Sequence, residues 1–166
     1  DRFIMGILGD VEAQILVRFP PDETLTLADF KKPANMVFDK PGFIFKSGEF
    51  ADREIRPADD ERLVNSIFWS DLVISGSASV CLDAIFFDKP VIAADLCPVK
   101  RHFFDMAYGY HFNHIQKLLA TGGVRYVTRT EELLKSIDDY FRNPQLEAEP
   151  RSKARSLWFS HADGKS

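Results

Sequence analysis

The stretch DLVISGSASVCLDAIFFDKPVIAADL, residues 71–96, decides the fold. Leu72 to Ser75 is a short run rich in apolar residues and predicts a buried strand. The small residues Ser75-Gly76-Ser77-Ala78-Ser79 then form a loop, and Ser79 to Phe87 is predicted as a helix. After Asp88-Lys89-Pro90, Val91 to Ala94 predicts another strand. A strand, a loop, a helix and a second strand in that order are the unit of a parallel sheet.

The same alternation runs outward in both directions. Upstream, apolar spacing over Asp1 to Asp10 fits a short helix, Ala13 to Phe19 reads as a first strand ended by Pro20-Pro21, and Met36 to Asp39 as a second. Residues 22–35 leave room for a short helix, and residues 40–58, rich in Phe and charge, resist assignment. A helix is predicted over about 60–70, with Asp59 or Asp60 as its cap and Leu63, Val64, Ile67 and Phe68 on its apolar side. Downstream, His111 to Ala120 is expected to be helical and to stop at Gly122-Gly123, and Val124 to Val127 is a fifth strand. Thr130 to Phe141 follows as a helix capped by Thr130. Pro144 and Pro150 break the tail before a last helix over 151–160.

This pattern predicts an α/β fold: a Rossmann-like, doubly wound parallel sheet of about five strands with helices on both faces. One domain is expected over residues 1–160, with 161–166 as a truncated tail. Right-handed crossovers put every strand's C-terminal end on one edge, where ligands of such sheets bind. That singles out Phe19-Pro20, Asp39-Lys40, Ser75 to Ser79, Asp95 to Arg101 and Thr128-Arg129.

Composition narrows the function classes. The 166 residues are 45% hydrophobic and 28% charged, enough for a real core and too apolar for a disordered chain. A net charge of −4 argues against a general nucleic-acid binder, which needs a basic face. Cys81 and Cys97 form no CxxC pair, so zinc is not expected; a single disulfide is compatible with the sequence, but the lack of a signal-peptide pattern points to a reducing cytoplasm. No apolar run approaches the roughly 20 residues that span a bilayer. The chain opens without Met and stops at Gly164-Lys165-Ser166, and is read as a piece of a longer protein.

The chemistry concentrates in the loop after the third strand. Gly76 allows a tight turn or a close approach to a ligand, and the serines can cap the helix and donate hydroxyls. The free N–H groups of a helix start suit a phosphate. Asp83, four residues beyond Ser79, lies on the same helix face and could accept hydrogen bonds from ribose hydroxyls. The bland alternative is a turn, a cap and a solvated acid. Lys100, Arg101 and His102 follow the fourth strand on the same edge, where a cationic cluster could neutralise a leaving diphosphate; a solvated charged loop explains them as well. Arg18 is a candidate anion partner or a structural salt bridge at its strand end. Tyr108, Tyr110 and His111 suit either an acceptor-facing surface or aromatic packing. His111 and His114 lack a third ligand nearby, and Asp59-Asp60 and Asp138-Asp139 read as a helix start and a solvated face, so no metal is expected.

Taken in order, these motifs resemble the C-terminal domain of GT-B-type glycosyltransferases. The resemblance is carried by Ser70-Asp71-Leu72-Val73-Ile74-Ser75-Gly76-Ser77-Ala78-Ser79, then Asp83-Ala84, then Asp88-Lys89-Pro90-Val91-Ile92. ILVRFPPDE at 15–23 and the closing Asp163-Gly164-Lys165-Ser166 are similar to the CDP-glycerol glycerophosphotransferase-like branch of surface-polysaccharide biosynthesis. The resemblance implies that Ser77, Ala78 and Ser79 contact a diphosphate, with Gly76 in the same loop, and that Asp83 contacts the ribose. Asp83 stands where Glu is common, and Phe19-Pro20 where Pro-His is usual, so no role of that histidine carries over. A family domain opens with one more strand; without it the sheet either closes up in the order 2-1-3-4-5, the favoured arrangement, or is completed by a preceding segment.

The function so implied is the donor-nucleotide-binding half of an enzyme that moves a sugar or alditol phosphate from a UDP-, CDP- or CMP-linked donor to a cell-surface polysaccharide. The acceptor domain would precede this one and bring the catalytic base. No cofactor is expected. The place implied is the cytoplasm or the periphery of the inner membrane face, with membrane contact only through the acceptor or the other half. Alternatives are a nucleotide-sugar 2-epimerase-like domain and a non-catalytic doubly wound interaction domain.

Overall fold

A computed structural model describes residues 13–19, 30–44, 53–96 and 109–159. The fold is α/β, with parallel strands in two small sheets and a separate antiparallel pair. The chain divides into two compact units, residues 1–65 and 66–166. The predicted helix at Asp1 to Asp10, residues 20–29, Cys97 to Tyr108 and the closing 160–166 lie outside the described residues.

In the first unit, β1 (Ile15–Arg18) and β2 (Met36–Asp39) pair in parallel, with Ile15 opposite Met36 and Arg18 opposite Asp39. Pairing continues one residue beyond β1, where the Phe19 N–H donates to the Asp39 carbonyl at 3.0 Å. Phe19 packs edge-on against Phe38, ring centroids 5.2 Å apart. The unassigned stretch holds an antiparallel pair, β3 (Phe43–Ile44) and β4 (Arg53–Glu54). Two-residue strands carry too little periodicity to be read from sequence.

Helix α1 (Pro57–Trp69) starts earlier than the Asp59 or Asp60 cap expected for it. Pro57 opens it, a position that needs no N–H donor and suits the fixed φ of proline. Asp59 sits inside the first turn and reaches back to the Arg56 N–H at 3.1 Å, the reverse arm of a capping box. α1 runs across the boundary between the two units.

The second unit is built on a three-stranded parallel sheet in the order β5 (Val73–Ser75), β6 (Val91–Ala94), β7 (Arg125–Val127). β6 lies in the middle, and its Val91, Ile92 and Ala93 are fully buried. Helix α2 (Val80–Phe86) turns Cys81, Ala84 and Ile85 inward, the i, i+3, i+4 spacing of one face. Its end explains the Asp-Lys-Pro that follows. Asp88 takes a left-handed φ of 55°; its N–H donates to the Ile85 carbonyl at 3.0 Å, and the Lys89 N–H donates to the Ala84 carbonyl at 2.9 Å. These are the two bonds of a Schellman closure, which needs a residue tolerant of positive φ.

A 3₁₀ turn at Gly109–His111 precedes α3 (Asn113–Ala120), so the helix expected over 111–120 is divided at Phe112. Gly122, with φ 73°, closes α3. Helix α4 (Thr130–Arg142) buries Leu133, Ser136, Ile137 and Tyr140 at helical spacing. Its cap position is Arg129 rather than Thr130; Glu132 instead accepts the Thr128 N–H at 3.1 Å and so satisfies the turn. Helix α5 (Ala148–Trp158) includes Pro150 in its first turn, where proline is tolerated, so Pro150 helps open the helix instead of breaking the tail. α5 packs on α2, and its Arg151 and Ala154 are buried.

Candidate functional site

The three parallel strands of the second unit end on one edge, at Ser75, Ala94 and Val127. The Asp95 N–H continues the pairing by donating to the Val127 carbonyl at 2.8 Å. Asp95 also accepts a hydrogen bond from the Tyr126 hydroxyl at 2.8 Å. Tyr126 in turn packs edge-on against Tyr110, which is buried. Tyr110 is thus placed by packing near the edge, and the Asp95–Tyr126 contact is a feature that sequence spacing did not signal.

The loop from Ser75 to Ser79 is compact. The Ala78 N–H donates to the Gly76 carbonyl at 2.9 Å, and the Cys81 N–H to the Ala78 carbonyl at 3.2 Å. A Cβ on Gly76 would meet nothing within 4 Å. Folding therefore does not require glycine there, and the space in front of it is open. Ser79 occupies the cap position of α2, but its backbone is helical, with φ −60° and ψ −23°, and its side chain makes no capping bond. The expected serine cap is absent because capping needs an extended backbone to aim the hydroxyl at the first free N–H groups. Ser77 is covered from the far side: a Cβ at Gly109 would lie 2.5 Å from its Oγ, so only glycine lets the 3₁₀ turn lie against this loop.

Asp83 follows one turn into α2 and is half-buried. Burial pushes its carboxyl above the ordinary carboxylate range. Among the described residues, no cation or side-chain donor offsets that penalty. Its neighbour Cys81 is a buried free thiol, so the disulfide compatible with the sequence is not formed. Burial pushes that thiol up to about 11, which keeps it protonated and poorly nucleophilic.

The remaining candidates are distributed differently. In the first unit, Arg18 ion-pairs with Asp39 and donates to the Asp59 carbonyl at 2.8 Å. Asp59 is buried, and the Arg56 N–H together with the Arg62 guanidinium holds its carboxyl below the usual range. Arg18 is therefore engaged in a network that ties β1, β2 and α1 together. The same unit has an open cleft bordered by Gly42, Phe43, Arg56, Glu61 and Asn65, in which the Arg56 guanidinium lies 3.9 Å from the centre of the Phe43 ring. Lys100, Arg101 and His102 lie outside the described residues, as does Tyr108. His114 stacks on Phe112 at 5.7 Å. Among the described residues no three His, Cys, Asp or Glu side chains group as metal ligands would. No helix among them is long and apolar enough to cross a membrane.

No family model, curated protein or solved structure matches the chain.

Proposed function

We propose that this chain is the donor-nucleotide-binding half of a GT-B-like glycosyltransferase or glycerophosphotransferase, acting on a UDP-, CDP- or CMP-linked donor. In this reading the Gly76–Ser79 loop receives the diphosphate and Asp83 accepts hydrogen bonds from ribose hydroxyls. A preceding acceptor domain completes the active site and supplies the catalytic base. Lys100, Arg101 and His102 would neutralise the departing diphosphate. The sugar or alditol phosphate passes to a surface polysaccharide, and the enzyme works in the cytoplasm or against the inner membrane face.

The observation that carries this reading is Asp83. A half-buried carboxylate with no cation beside it among the described residues weakens the folded state, and a ligand hydroxyl would relieve that cost. It lies one turn beyond a small-residue loop at the C-terminal edge of a parallel sheet, where such sheets take their ligands. The open space in front of Gly76 supports the same placement. Because Arg18 is already engaged by Asp39 and Asp59, its part is to position the end of β1. The finer architecture proposed is a doubly wound parallel sheet of about five strands with helices on both faces.

Calorimetric titration with UDP, CDP and CMP tests the assignment. The wild-type chain is expected to bind at least one of them weakly and to turn nothing over, and Asp83→Ala to weaken that binding by roughly tenfold, the loss of about one charged hydrogen bond. Equal affinity in the variant removes Asp83 from the site. No binding by the wild type returns the chain to a non-catalytic interaction domain.

A further inference from the structure

Helix α5 is held to the second unit differently from α4. α4 packs on β6 and β7 and buries the large apolar side chains of Leu133, Ile137 and Tyr140. The buried residues of α5 are Arg151 and Ala154, a cation and a methyl group, while its Leu157 is 67% exposed. α5 thus removes little apolar area from water, and its attachment rests largely on polar contacts. Arg151 donates to Asp88, at the end of α2, at 3.3 Å. Glu147, the cap residue of α5, accepts from Arg125 Nε of β7 at 3.1 Å and from the Tyr140 hydroxyl of α4. Arg155 and Phe159 add contacts to the Phe86 ring, at 5.5 and 5.1 Å from its centre. Beneath the helix lies Gly123, which has no side chain to interlock with it.

The charges of both latches keep a partner or solvent when α5 leaves. Arg151 also donates to the carbonyls of Leu146 and Pro144, which belong to the approach to α5 and travel with it. The Asp88 side chain is 55% exposed and already meets water. Arg125 retains Asp139 at 3.1 Å. Opening therefore strands no buried charge, the cost that makes breaking a buried ion pair expensive. Asn143, Pro144 and Gln145, between α4 and α5, are exposed and supply a pivot. α2 depends on what covers it: its seven residues are too few for a helix to persist without tertiary support, and that support comes from the sheet and from α5.

We propose that α5 is a hinged strap that swings off α2 as one unit about Asn143, ahead of global unfolding, and in doing so loosens the helix that carries Asp83. A ligand that needs α2 in place then holds the strap shut, and the strap sets how tightly that ligand binds. The inference goes beyond the nucleotide reading and holds whatever the loop before α2 receives.

The test is amide hydrogen exchange of the ligand-free chain, read segment by segment by mass spectrometry where closing outruns exchange. α5 is expected to exchange about tenfold or more faster than β6, and α2 to follow α5. A substitution among contacts that the open form keeps separates local from global opening. Ile137→Val, in the α4 core, should speed β6 about fivefold and leave α5 and α2 unchanged. Asp88→Asn with Glu147→Gln should speed α5 and α2 by about tenfold. Each single variant should do so by about threefold, and carries the same comparison if the pair does not fold. Exchange of α5 as slow as that of β6 overturns the proposal, as does an Ile137→Val effect on α5 equal to that on β6. Latch variants that leave α5 unchanged overturn it as well. If α2 keeps pace with β6 while α5 exchanges faster, α5 merely frays and the coupling to α2 is wrong.

Discussion

Arg151, fully buried in α5, donates from Nε to the Asp88 carboxylate at 3.3 Å, across 63 positions of sequence. The same guanidinium donates to the carbonyls of Leu146 and Pro144, the latter at 3.2 Å. One side chain thus ties the end of α2 to the approach to α5. Asp88 serves twice, as the left-handed residue that closes α2 and as the counter-charge of a buried cation. Asp88→Ala should therefore cost about 1–3 kcal/mol, because it takes one charged hydrogen bond from a buried cation that keeps only its two carbonyls, while Asp88 itself is half exposed. Asp88→Gly should be milder by roughly 1 kcal/mol, because it relieves the backbone. Urea unfolding of the two variants side by side checks the order.

Gly123 lies under α5. A Cβ there would meet the Pro150 carbonyl at 2.9 Å, the Arg151 Cα at 3.0 Å and the Ala154 Cβ at 3.1 Å. Two of these are backbone atoms that cannot swing away. Gly123→Ala is expected to cost about 1–3 kcal/mol by overpacking. At Gly122 the nearest atom is 3.7 Å away, and alanine should pay only for its positive φ, about 1 kcal/mol. Thermal unfolding of both single variants tests the difference.

Gly109→Ala should disturb the candidate site directly, since its Cβ would fall 2.5 Å from Ser77 Oγ. A loss of about 1–3 kcal/mol is expected. Adding Ser77→Gly should recover part of it by removing the hydroxymethyl group, although the Ser77 carbonyl at 3.1 Å remains tight. If the double variant is no more stable than Gly109→Ala alone, the two residues are not coupled as described.

Asp83 and Asp59 should give opposite pH dependences. The Asp83 carboxyl is raised by burial, so the folded state holds its proton more tightly than the unfolded chain. Its contribution to stability is therefore present at low pH and declines as pH rises from the ordinary value of 3.8 through the raised one. Asp83→Asn should raise the Tm at pH 7 and leave it nearly unchanged at pH 3. The Asp59 carboxyl is lowered, first by the Arg56 N–H and then by Arg62, so its contribution is present above 3.8 and is lost as pH falls through the lowered value. Asp59→Asn should lower the Tm at pH 7 and matter progressively less in acid. Parallel melts from pH 3 to pH 7 distinguish the two.

The elements whose signal is local were legible in the sequence. Val91 to Ala94 reads as a strand from its composition alone, and β6 has those bounds because every residue in it is apolar. The helix over Thr130 to Phe141 was equally plain, and α4 keeps those bounds to within one residue. What escaped depends on partners distant in the chain. The Pro57 start of α1 is hidden because the carboxylate that completes it lies two residues inside the helix. The β3–β4 pair is too short to show a period, and the close approach of Gly109 to Ser77 joins segments more than 30 residues apart. At the site, Asp83 and the small-residue loop could be named from their spacing. The missing Ser79 cap and the burial of Asp83 could not, because both follow from how α2 is set into the sheet.

The Arg151 anchor also has a temporal consequence. During synthesis β5, α2 and β6 leave the ribosome well before residues 147–154, yet Asp88 and Gly123 are made to receive that later segment. Until it arrives, the α2 surface that α5 will cover stays open to water and to other chains. The second unit is thus completed last-residue-first-needed, and a nascent or truncated chain ending near residue 145 would present an unfinished core to whatever holds newly made proteins in solution.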